Sequence, residues 1–352
     1  MGLKLRLIRA ALALLLCAGA AGAETIRVAS FEAGLSRRGP GLLLRDIEAG
    51  EAQAAAAVAV IVAARPDLLL LTGIDWDHDA LALAALAAEL SAQGIEYTHL
   101  FTREPNRGMP SGVDLDGDGR LNRAEDSQGW GMFRGQRGMA ILSRYPLELI
   151  ADHSAMLWRE LPGHQIGDTL TAEAQAVQRL STTAHWDLAV DWGARPLRLL
   201  TFGATAPLFD GGTGRNVRRN HDEIAFWNGH LPEGDFVLAG HFNLDPHDGA
   251  GWNRAVADLL ADPRLQDPQP RGAGGAAAVQ EGPNAAHLGD PALDTAEYGT
   301  RGAGNLRLSY VLPSAGLRVV GSGVIWPEGG ELLDAAQTAG AHRLVWVDLA
   351  RE

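Results

Sequence analysis

Apolar residues gather along the chain in short runs at 26–33, 67–74, 138–147, 188–192, 196–205, 235–244, 306–313, 317–326 and 342–349. Runs of this length, rich in Leu, Val and Ile and bounded by turn-forming residues, predict buried β-strands. The segments 45–65, 79–93 and 216–231 repeat their apolar positions at helical spacing and predict helices. Strands mixed with helices in this way suit an α/β fold of two packed sheets with helices outside. Polar residues able to do chemistry sit at strand ends near both termini, so no cut leaves two self-contained halves. The pattern predicts one domain over residues 24–352.

Two segments depart from the pattern. Residues 102–137 are polar and glycine-rich with scattered aromatics, which predicts an ordered, functional insertion. Residues 262–304 are rich in Gly, Pro and Ala and read as a surface excursion.

The first residues change the picture of where the chain works. Lys4, Arg6 and Arg9 precede an apolar stretch, and Ala21-Gly22-Ala23 offers a small-residue cleavage site, so residues 1–23 read as a signal peptide. The expectation is export to the periplasm or the extracellular space, with a lipid anchor on Cys17 as the alternative. No later segment is apolar for long enough to span a bilayer. The chain carries a net charge of −13, and losing those three basic residues makes it −16. So acidic a chain is poorly suited to general nucleic-acid binding, which depends on Lys and Arg neutralising phosphates. Cys17 is the only cysteine, so thiolate catalysis, disulfides and thiolate metal sites are excluded from the mature chain.

Inside the insertion, Asp114-Leu-Asp-Gly-Asp-Gly-Arg-Leu-Asn-Arg-Ala-Glu125 matches a twelve-residue calcium loop. Asp114, Asp116 and Asp118 take the first three ligand positions and Gly119 the sharp turn. Arg120 offers its carbonyl, Asn122 the ninth position, and Glu125 a bidentate close. Hard oxygen donors in flexible geometry suit Ca²⁺. The flanking residues do not look helical, so the expectation is a bare structural Ca²⁺ loop. The competing reading is an acidic turn without an ion.

A further set of blocks carries a resemblance. Arg27-Val-Ala-Ser-Phe31, Asp67-Leu-Leu-Leu-Leu71, Gly138-Met-Ala-Ile-Leu-Ser-Arg-Tyr-Pro146, Leu199-Leu-Thr201, Arg218-Arg-Asn-His-Asp-Glu223, Gly240 to Asp245, Ser309-Tyr-Val-Leu-Pro-Ser314 and His342-Arg-Leu-Val345 follow in order. Together they resemble the endonuclease/exonuclease/phosphatase superfamily over nearly the whole mature chain. The chain looks like its exported bacterial branch with the Asp-Leu-Asp-Gly-Asp-Gly insertion. The resemblance implies a four-layer α/β sandwich and metal-dependent hydrolysis of phosphate esters. It also implies a metal-holding Glu, a water-activating Asp, a charge-stabilising His and positioning Asn residues.

Most of those polar centres are substituted. Glu32 stands for Asn, Gly73 for the metal-holding Glu, and Gly203 for the catalytic His. His241 and Ser309 each stand for Asp, and Ala341 for the Asp before a retained His342. Only Asn243 and His342 match. The expectation is a degenerate centre in a protein that binds a phosphorylated or acidic ligand, a carbohydrate or a protein partner in the old substrate cleft. The alternative is a phosphoesterase with a rebuilt transition-metal site on Glu32, His241 and His342, because two imidazoles and a carboxylate suit such an ion. Arg215, Arg218 and Arg219 form a candidate anion-binding group, weighed against ordinary ion pairing. Asp75-Trp-Asp-His-Asp79 could ligate a metal, but suits a loop and helix start better.

Overall fold

The computed structural model describes residues 25–351, so the expected signal peptide lies outside the described residues. In chain order the strands are β1 (Thr25–Glu32), β2 (Leu68–Ile74), β3 (His99–Thr102), β4 (Gly138–Ser143), β5 (Leu147–Asp152), β6 (His185–Val190), β7 (Leu197–Gly203), β8 (Phe236–His241), β9 (Ala296–Glu297), β10 (Asn305–Leu306), β11 (Ser309–Pro313), β12 (Arg318–Val324) and β13 (Val345–Ala350). They form a six-stranded sheet, β12-β13-β1-β2-β4-β3, a five-stranded sheet, β11-β8-β7-β6-β5, and the small β10-β9 pair. Each large sheet holds one parallel pair, β1 with β2 and β7 with β8, among antiparallel neighbours.

Strand alternation divides the core into three slabs. Val28, Leu70, Ile141, Leu199, Val237 and Val347 meet between the two sheets. Their neighbours Ala29, Phe31, Leu69, Leu71 and Leu142 point the other way, onto helices Leu42–Glu48, Ala52–Ala64, Leu81–Ala92 and Glu331–Ala339. Leu200, Phe202, Leu238 and Leu312 face helix Arg215–Asn228 on the far side. The result is the expected four-layer sandwich.

Three local expectations need correction. The helix expected over 45–65 is two helices, Leu42–Glu48 and Ala52–Ala64. Gly50 breaks it at φ +64, a conformation open to glycine. The Glu51 carboxylate then caps the second helix by accepting from the Gln53 and Ala54 N–H groups. The apolar run 138–147 is likewise two strands. β4 ends at Ser143, whose hydroxyl closes a turn with Tyr145, and β5 continues in the other sheet. Finally, residues 262–304 are not merely a surface excursion. Helix Ala273–Ala276 packs so closely that a Cβ at Gly274 would lie 2.3 Å from Trp326 Cδ1. The Thr295 hydroxyl accepts from the N–H groups of Leu308 and Ser309.

Candidate functional site

The ends of β1, β2, β7 and β8 meet at one edge of the sandwich. Register alone brings the polar ends together, since Glu32 pairs with Thr72, Gly203 with His241, and His241 with Ser309. His342 joins from the turn before β13. These ends line a cleft of about 460 Å³ that holds Glu32, Gly73, Gly203, His241, Asn243 and His342. Ser309 sits behind His241, and the Ala341 carbonyl accepts from the Glu297 N–H.

Helix Arg215–Asn228 holds the cleft loops through a buried polar face. Asn220 donates to the carbonyls of Thr205 and Phe242, and Glu223 accepts from the N–H groups of Thr182 and Thr205. This fixes Asn243 at φ +54, a left-handed conformation that Asn tolerates.

Within the cleft, Glu32 is buried and its Oε1 lies 2.7 Å from Arg137 Nη2. Burial pushes its carboxyl up, but the Arg137 charge and the adjacent histidines outweigh that and hold it at about 2. Burial drives His342 down to about 3 and also lowers His241, so both imidazoles are neutral at pH 7. Arg107 donates from Nε to Thr183 Oγ1 at 3.2 Å. Burial and the neighbouring Arg137 lower it to about 10, leaving it charged. The cleft therefore presents two guanidinium groups against one carboxylate.

Arg107, Arg137 and Trp130 come from the insertion 102–137, which puts its positive charge into the cleft. Sequence reasoning missed both arginines. The one available signal was position: Arg137 immediately precedes Gly138, the start of a recognised block. Arg137 adopts φ +51, with its N–H held by Asp75 Oδ1 at 3.0 Å. Two carboxylates of the Asp75–Asp79 segment are thus engaged structurally, Asp75 with the N–H groups of Arg137 and Arg37, and Asp77 capping helix Leu81–Ala92.

The rebuilt metal site on Glu32, His241 and His342 must be corrected. The three residues share the cleft but do not converge as ligands. Among the described residues, only Asp114, Asp116 and Asp118 bring three such ligand atoms within 4.8 Å of one another. Both His241 nitrogens are engaged, Nδ1 with Ser309 Oγ at 3.0 Å and Nε2 with Asn243 Oδ1 at 2.9 Å. The Arg137 guanidinium stands against Glu32 where a cation would need that carboxylate. Nor can the residues present hold the family's usual divalent ion. Position 73 has no side chain, and a Cβ there would lie 2.0 Å from Glu32 Oε1.

The arginine group on helix Arg215–Asn228 is also corrected. Arg219 is buried and spends its guanidinium on the carbonyls of Leu180, Gln128, Arg179 and Ser181. Arg215 donates to the Leu115 carbonyl and Arg218 to that of Gln165. None of the three lines the cleft.

The acidic loop lies beside the cleft. Asp114 accepts from the N–H groups of Gly117 and Gly119, and Asp118 from that of Arg120. Asn122 has φ +63, while the Glu125 carboxylate turns to Trp130 Nε1 at 3.4 Å. Three exposed or half-buried carboxylates this close fit a hard cation.

Comparison with known proteins agrees with this architecture. A model of the Endonuclease/Exonuclease/phosphatase family matches residues 34–331. No curated protein matches. Among solved structures, an endonuclease/exonuclease/phosphatase from Beutenbergia cavernae DSM 12333 is 19% identical with a TM-score of 0.57, over 93% of this chain and 72% of that one. An endonuclease/exonuclease/phosphatase from Bacteroides vulgatus is 10% identical with a TM-score of 0.51, over 94% of this chain and 100% of that one. An endonuclease/exonuclease/phosphatase family protein from Leptotrichia buccalis C-1013-b is 12% identical with a TM-score of 0.50, over 92% and 99%. At these identities the likeness is one of fold.

Proposed function

The chain belongs to the endonuclease/exonuclease/phosphatase family, and on that premise we propose that it is an exported binding protein whose cleft holds an anionic ligand without hydrolysing it. One observation carries this reading: Arg137 pairs with Glu32 at 2.7 Å, so a fixed guanidinium neutralises the one carboxylate of a cleft that also contains Arg107. A site with surplus positive charge and little free carboxylate favours anions over metal cations. Paired guanidiniums bind phosphate and carboxylate oxygens through charge-assisted hydrogen bonds. The catalytic His position is Gly203, and the neutral His342 has no acidic partner within hydrogen-bond reach. Nothing there supplies water activation of the usual kind.

The acidic loop is assigned a structural Ca²⁺. It stiffens the insertion that delivers Arg107 and Trp130 to the cleft. Its carboxylate cluster supports this assignment, as does its motif.

The test is an assay of the purified mature chain against phosphomonoesters and phosphodiesters with Mg²⁺, Mn²⁺ or Zn²⁺, alongside calorimetric titration with inorganic phosphate. The reading expects no turnover, with phosphate binding that is weakened by Arg137→Gln. Turnover abolished by His342→Ala would overturn it.

A further inference from the structure

A second cavity, about 450 Å³, adjoins the cleft. The two share Ala206, Phe209, Asn243 and Tyr298 in their walls, so they adjoin across these residues. Their chemistry is opposite. Arg107 and Arg137 line one end, whereas Pro207, Leu208, Ala303, Leu306 and Leu308 line the other. Asp245 and Asp248 border the apolar end, but their oxygens are engaged in holding loops. Asp245 accepts from the N–H groups of His247, Asp248 and Arg307, and Asp248 from those of Leu288 and Gly289. Each cavity falls within the roughly 300–1,000 Å³ typical of small-molecule sites.

The junction residue adds an independent observation. Phe209 is 91% exposed and sits at φ +63, an uncommon conformation for a residue with a bulky side chain. Its ring therefore contributes little to the core while its backbone carries strain. Strain of this kind concentrates at ligand clamps. Tyr298, 39% exposed, stands across the same junction and reaches His342 Nε2 at 3.4 Å. Two aromatic rings thus mark the boundary between the cationic and apolar ends.

We propose that the joined cavities bind a small anionic amphiphile, with a phosphate or carboxylate head on an apolar body, taken up from solution as a monomer. This rests on the anion-binding reading of the cleft and adds its apolar half. The head meets Arg107 and Arg137. The body displaces water from the hollow beside Leu208, Phe209 and Leu308. Burying each methylene is worth roughly fourfold in affinity. Four buried methylenes would therefore bring about a 100-fold gain once some exposure is allowed for.

The experiment is calorimetric titration of the full mature chain with inorganic phosphate, butyl phosphate and octyl phosphate, each below its micellar concentration. Octyl trimethylammonium serves as a cationic control, and vesicles containing phosphatidic acid as a membrane arm. The expected result is binding of octyl phosphate about 100-fold tighter than inorganic phosphate, with none of the cation. Phe209→Gly relieves the φ strain, so it folds at least as stably. It should lose most of the chain-length gain, read as the ratio of octyl phosphate to inorganic phosphate affinity. Phosphate binding without a chain-length gain overturns the amphiphile inference and leaves the anion reading standing. Failure to bind any anion overturns both. Equal binding of the ammonium, or binding only to vesicles, overturns the proposed recognition of a soluble anion.

Discussion

Replacing Arg137 with Gln isolates the contact on which the cleft's charge depends. The change leaves Glu32 buried, with its nearest cationic partner gone. Glu32 is held at about 2 against an ordinary 4.5, which makes its ionised form worth on the order of 3 kcal/mol to the fold at pH 7. Arg137 is the largest influence pulling that value down, but its side chain is 41% exposed and screened by solvent. Discounting for that, and for pulls from other groups, the expected loss is about 2 kcal/mol. The sign with pH follows from a depressed carboxylate. Its contribution is complete above about 4.5 and disappears as pH falls toward 2. The gap between the parent and Arg137→Gln should therefore be widest at pH 7 and close under acid. Urea denaturation at pH 7, 5 and 3 measures it. Glu32→Gln with Arg137→Gln should recover most of the loss, because removing both partners leaves no orphaned charge. A single variant within about 0.5 kcal/mol of the parent at pH 7, or a double variant no better than the single one, would refute the reasoning.

The packing around the cleft and the insertion sets other outcomes. Gly73→Glu should cost more than about 3 kcal/mol, since its Cβ would lie 2.0 Å from Glu32 Oε1 at a backbone φ of +69. Adding Glu32→Asn should raise the melting temperature again, and a stable Gly73→Glu single variant would contradict this packing. Millimolar Ca²⁺ should raise the melting temperature of the parent but not of Asp114→Asn, and identical shifts in the two would remove the calcium assignment. Burial holds His185 at about 3, so it should stay neutral in an imidazole NMR titration down to pH 4. Because this base is depressed below 6.5, its contribution is complete above that value and falls by about 1.4 kcal/mol per pH unit as the solution is acidified toward 3. A titration midpoint near 6 would count against its burial.

Much of the fold was legible because strand burial writes itself into local composition. The run at 67–74 matches β2 almost residue for residue, and that at 235–244 contains β8 but overshoots its end, since strands buried on both faces must be apolar throughout. The break at Gly50 and the crossing at Ser143 were hidden, because an apolar run does not show which sheet or helix buries it. Family blocks also located Glu32, Gly73, Gly203, His241, Asn243 and His342, and all six line one cleft. Their mutual orientation was not legible. Whether His241 offers a lone pair to a metal depends on Ser309 and Asn243 turning toward it, 68 residues away in one case and 2 in the other.

The sequence by itself determined the layered α/β sandwich and the family's framework, because each is a matter of residue type at a local position. Only the tertiary structure decided the charge of the cleft. Arg107 and Arg137 lie 75 and 105 residues beyond Glu32, and the packed insertion brings them into its cleft. The apolar hollow likewise exists only where the loop at Phe209 meets the segment carrying Ala303 and Leu306. Charge and cavity shape depend on distances through space, and a linear chain encodes those only through its fold.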